Sequence, residues 1–132
     1  MRRQFLLPES DSGYLDASGH QWETISDLGS LWALVHGFPV PAGYNHLQVT
    51  SAVMIPSSYP DVQLDMVYFY PALTRLDGRP IAAVCQQMID GKGFQRWSRH
   101  YTPSNPWRPG IDDLSTHLAL VSHWLERELE KV

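Results

Sequence analysis

Apolar and polar positions alternate most clearly between Leu47 and Ile55, where Leu47, Val49, Ser51, Val53 and Ile55 interleave with Gln48, Thr50, Ala52 and Met54. A period of two predicts a strand with one face toward a core. Shorter apolar runs at 22–25 and 31–35 flank Asp27-Leu28-Gly29-Ser30 and predict a strand pair joined by a turn. Residues 65–70 read as a further strand, which Pro71 ends. Two more apolar segments, 81–89 and 94–101, enclose Asp90-Gly91-Lys92-Gly93, a hairpin signature. Beyond Asp112 the period changes. Leu114, Leu118, Val121, Leu125 and Val132 recur at helical spacing, Asp112 and Asp113 suit the positive start of a helix, and 126–131 forms its solvated end. Residues 1–21 carry turn formers and little periodicity, and are expected to wrap as loops. The pattern predicts an α+β fold, with an antiparallel meander over 22–71, an added hairpin over 81–101 and a helix over 112–131 that covers the sheet.

Length and composition narrow the function. A chain of 132 residues, 43% hydrophobic and 18% charged, is long enough for one core, so a single domain over 1–132 is expected. No apolar run approaches the ~20 residues that span a bilayer, and the basic start lacks the apolar stretch of a secretion signal, so a cytoplasmic protein without membrane partners is expected. A single cysteine, Cys85, rules out an internal disulfide and a cysteine-based structural zinc site within one chain. No phosphate loop, dinucleotide fingerprint or metalloprotease motif occurs, and no cofactor or metal is expected. The formal charge of −4 hides an asymmetry: Lys92, Arg96, Arg99 and Arg108 follow one another with no acid between them. This reads either as a docking surface for an acidic partner or as a solvated strand face. Aromatic residues lie among these cations, but no RNA-binding motif accompanies them and no nucleic-acid role is expected.

The stretch Pro41-Ala42-Gly43-Tyr44, the strand that follows it, the turn Ile55-Pro56-Ser57-Ser58-Tyr59-Pro60 and the strand ending at Tyr70-Pro71 resemble ubiquitin-conjugating enzymes, in which an FPxxYP turn joins two strands. Trp107-Arg108-Pro109 before the long helix is similar to the WSP of the same fold. Leu64-Asp65-Met66, Gly78-Arg79-Pro80-Ile81 and Arg96-Trp97-Ser98-Arg99-His100 look closest to the prokaryotic branch called family E. The resemblance covers roughly 22–130. It implies a UBC-like fold and a role in a bacterial ubiquitin-like conjugation operon, beside an activating enzyme, a ubiquitin-like protein and often a JAB-type peptidase. Three departures stand out: no N-terminal helix is recognisable in 1–21, no His-Pro-Asn follows Tyr70, and the segment from Pro71 to Trp107 is longer than in the family.

Acyl transfer from a ubiquitin-like C-terminus needs a side chain that accepts the acyl group and releases it to an amine. Cys85 is one candidate, because thiols are partly ionised near neutral pH. Its alternation with Ile81, Ala83 and Ile89 reads instead as a buried small residue. The resemblance points to a second candidate. In the family the catalytic residue precedes the WSP tryptophan by about eight positions, and counting back from Trp107 reaches Arg99, beside Ser98. On an extended segment Ser98 and His100 would share a face, so His100 would serve as base, with Arg96 or Arg99 stabilising the oxyanion. Buried Cys85 and a hydrogen-bonded Ser98–His100 pair are the expected geometry. The conjugating enzyme is the main reading, and the alternative is a catalytically inactive relative that only docks the ubiquitin-like partner.

Overall fold

The computed structural model describes residues 1–132. Its elements are α1 (Glu9–Ala17), β1 (Trp22–Asp27), β2 (Ser30–Pro39), β3 (Gln48–Met54), β4 (Val67–Tyr70), β5 (Val84–Ile89), β6 (Lys92–Trp97) and α2 (Leu114–Glu130). All strands lie in one antiparallel sheet of order β1-β2-β3-β4-β6-β5, which makes the protein α+β, with a meander followed by a hairpin inserted through its second strand. Two hairpins turn on two residues each. Leu28 and Gly29 have φ of 50° and 83°, and Asp90 and Gly91 have φ of 53° and 72°. Such paired positive angles match the right-handed twist of the strands they join.

Helix α2 starts on a reciprocal cap, in which Asp113 accepts the Thr116 N–H at 3.2 Å and Thr116 Oγ1 accepts the Asp113 N–H at 3.0 Å. Its apolar stripe of Leu114, Leu118, Val121 and Leu125 is buried against Val49, Val53, Phe69 and Trp97. The C-terminal end is fixed as firmly. Arg75 is buried and donates to the carbonyls of Glu128 at 2.7 Å and Lys131 at 3.0 Å, supplying the positive charge that a helix C-terminus favours.

The opposite sheet face carries a second core of Ile25, Trp32, Leu34, Ala52, Tyr68, Ile89 and Phe94. In a flat sheet β1 and β5, at the two ends of the order, would lie about 24 Å apart. Here they meet, because the Asp90 N–H donates to Asp27 at 3.2 Å and Arg2 donates to both Asp90 carboxylate oxygens, at 2.9 and 2.7 Å. The sheet therefore curls, and the hairpin tip closes over the second core.

The N-terminal segment corrects an expectation. Residues 9–17 form a helix rather than a loop, although only Asp11 and Leu15 in it are buried. It lacks an apolar stripe because it docks through polar bonds: Asp11 accepts from Leu114 N and from Tyr59 Oη, and Asp16 accepts from Trp22 Nε1. Short helices of this kind rest on tertiary contacts rather than on propensity.

Candidate active site

The two motifs that carried the resemblance meet in space. Tyr59 lies 6.3 Å, centroid to centroid, from Trp107, which packs edge-on against Tyr101 at 5.4 Å. Tyr101 in turn donates to Nδ1 of the buried His117 at 2.8 Å, while His117 Nε2–H donates to the Met66 carbonyl at 2.9 Å. Burial keeps this imidazole neutral by lowering its pKa, and its place in the core is structural.

Cys85 is exposed, against the expectation of burial. The alternation that placed it beside Ile81 and Ala83 fails because Ala83 adopts φ of 57° and the strand begins only at Val84. β5 is also an edge strand, with one neighbour. Cys85 pairs directly with Arg96 of β6, and Arg96 pairs with Tyr68 of β4, so the three side chains form one row on the second face. Arg96 Nε is buried without a hydrogen-bond partner. A cavity of about 270 Å³ opens beside Cys85, bounded by Ala72, Val84, Gln86, Gly93, Phe94 and Gln95. Ala72, which follows Tyr70-Pro71, lies on the rim of this cavity, and no His-Pro-Asn follows the strand.

The Ser98–His100 pair is not formed. The Arg99 N–H donates to the Trp97 carbonyl at 3.0 Å, a tight turn centred on Ser98 that ends the extended backbone on which the two side chains would share a face. His100 Nδ1 faces the Asp65 carboxylate at 2.9 and 3.0 Å instead, and no hydrogen bond links it to Ser98. Arg99 turns away as well, donating to Glu128 Oε1 at 3.0 Å with its guanidinium over the Trp97 ring. The run of cations does not form one surface either: Lys92 faces Asp90, Arg108 pairs with Asp112, Arg99 joins Glu128, and Arg96 lies on the other side of the sheet. The cross-strand position of Arg96 was readable, since counting outward from the two-residue turn at Asp90-Gly91 pairs it with Cys85.

No three of His, Cys, Asp or Glu gather in a way that could hold a metal ion, and no helix is long and apolar enough to cross a membrane. No curated protein and no solved structure gives a significant match to the chain. The model of Prokaryotic E2 family E matches residues 7–128, nearly the whole chain and both motifs that meet at Tyr59 and Trp107, and so this protein belongs to prokaryotic E2 family E, with a ubiquitin-conjugating-like role.

Proposed function

We propose that the protein transfers a ubiquitin-like protein through a thioester on Cys85. The observation that carries this reading is the exposed thiol on the edge strand, with a cationic neighbour across the ladder and a cavity at its side. In the first step Cys85 Sγ attacks the thioester carbonyl held by an activating enzyme. The enzyme's thiolate leaves and the proton of Cys85 passes to solvent or to that thiolate. In the second step a neutral amine attacks the new thioester, an amide forms, Cys85 departs as thiolate, and the proton released from the amine nitrogen passes to solvent or to that thiolate. Both tetrahedral intermediates carry an oxyanion. No His-Pro-Asn follows Tyr70, and the Arg96 guanidinium, across the ladder from Cys85, is the donor assigned to that charge. Ser98 loses its claim as acceptor along with its base, and an oxyester becomes the second choice.

The activating enzyme and ubiquitin-like protein are proposed to come from the same operon, with a JAB-type peptidase as a further partner, in the cytoplasm. The test is incubation with that activating enzyme, ATP and the ubiquitin-like protein. The expected adduct is cleaved by reducing agents, lost in Cys85→Ala and retained in Ser98→Ala. An alkali-labile adduct lost only in Ser98→Ala would restore the oxyester. The absence of any adduct would favour the docking module.

A further inference from the structure

Along the C-terminal half of α2 lies a groove of about 550 Å³, walled on the other side by the chain from Arg99 to Asn105. Its only acidic lining residue, Glu128, is 2% exposed and already engaged by Arg99 at 3.0 Å and Lys131 at 3.2 Å, so it offers no negative charge to the opening. His123 and Arg127 are exposed on the helix wall without a hydrogen-bond or ion-pair partner, and Lys131, the C-cap in extended backbone, is exposed at the end of the helix. These three positions are four residues apart. Within the helix that spacing sets His123 and Arg127 about 6 Å apart in one row, which Lys131 continues from the C-cap. In an extended peptide, alternate side chains point the same way with a step of about 6.6 Å. The two ladders are nearly commensurate.

We propose that this groove binds an extended acidic segment of a partner protein, with carboxylates at alternate positions facing His123, Arg127 and Lys131. The chain as a whole carries −4, and the cations of the groove make it a local exception that attracts carboxylates. A nucleic-acid strand fits less well. Its affinity rests on many cations and on several aromatic platforms for the bases, whereas the groove offers one half-buried indole, Trp124, packed edge-on against His117. The groove is made by α2 and the 99–105 chain, and Cys85 is not among its lining residues, so the proposal does not depend on acyl transfer.

The test is an NMR titration of the whole protein with a synthetic octapeptide of alternating glutamate and serine. The expected result is saturable shifts of the amides of 99–105 and 120–131, weakened about tenfold in Arg127→Glu and by added salt. A peptide of the same composition with its glutamates in one block should bind more weakly. Arg127 is exposed and unpaired, so the variant spectrum should stay dispersed, and Arg127→Gln provides a milder second variant. Absent shifts, shifts elsewhere, or an affinity unchanged in both variants would overturn the proposal. Tighter binding of a ten-nucleotide oligothymidylate at the same amides would overturn it in favour of nucleic acid. No activating enzyme is present, so the result is independent of the conjugation assay.

Discussion

The carboxylate of Asp11, in α1, accepts the backbone N–H of Leu114, the first residue of α2, at 3.2 Å. The same carboxylate accepts the hydroxyl of Tyr59, so one buried side chain ties together the N-terminal helix, the turn before β4 and the start of the covering helix. Asp11→Ala strands a helix N–H and a phenol in the core, and should cost about 2–4 kcal/mol in urea unfolding. Asp11→Asn should cost clearly less, since its amide can accept from Leu114 and donate to Tyr59.

Burial raises the pKa of Asp11. Between the ordinary carboxylate value and the raised one, the folded protein holds a proton that the unfolded chain has lost, so this group's contribution falls as pH rises through that window. The Asp11→Asn variant should lose that part of the pH dependence, which urea midpoints measured from acidic to neutral pH will show.

At the hairpin tip the relation is between Arg2 and Asp90. Arg2 also donates to Glu23 at 2.9 Å, and these bonds hold the Glu23 carboxyl down to about 2 and Asp90 below its usual range. Depressed carboxylates contribute stability that is present above their ordinary values and lost as pH falls through the folded ones. Arg2 is 41% exposed in its side chain, so global stability should fall by only about 1 kcal/mol in Arg2→Ala. The local effect should be larger. Amides around Ile89 and Phe94 should exchange faster in that variant, because the tip that closes the second core is released. Unchanged exchange there would show that the strands hold the curl without Arg2.

How much of this was legible in the sequence depends on the kind of interaction involved. The strand pairs, both turns and α2 rest on local periodicity and turn chemistry, and those are written in consecutive residues. The helix α1 rests on Asp11 reaching Leu114, more than a hundred positions away, and no local pattern encodes that bond. Cys85 was misplaced because the face of a strand depends on where the strand begins, and the positive φ of Ala83 resets the count. Ser98 and His100 were paired on the assumption that the backbone stayed extended, and the turn at Ser98 separates them. The groove on α2 joins His123, Arg127 and Lys131 with Arg99, and only the packed structure brings those segments together.

His117 gives the core an acid limit. Its Nδ1 accepts from Tyr101 and its Nε2–H donates to Met66, which leaves no site for a second proton. Burial lowers its pKa from the ordinary 6.5, so below that pH the unfolded chain takes up a proton that the native state refuses. Stability contributed by the neutral ring is therefore lost progressively as pH falls from 6.5 through the folded value. Urea midpoints should drop between neutral and mildly acidic pH, and His117→Gln should start lower but show a smaller drop. An equal drop in the variant would assign it to other groups.

Arg96 is the residue on which the proposed chemistry can be separated from the fold. It lies directly across the ladder from Cys85, and its Nε is buried without a partner while its stem covers the second face. Arg96→Met keeps the stem and removes the guanidinium, so stability should change little. If the guanidinium stabilises the oxyanion, loading of Cys85 and discharge to an amine should both slow, by about 10²-fold if its part equals that of one oxyanion-hole donor. Arg96→Lys should recover part of the loss, because it restores charge without the planar fork. A purely structural role makes the opposite forecast: a lower unfolding midpoint in Arg96→Met with unchanged transfer rates. Single-turnover loading and discharge, measured beside urea unfolding on the same three proteins, decides between them.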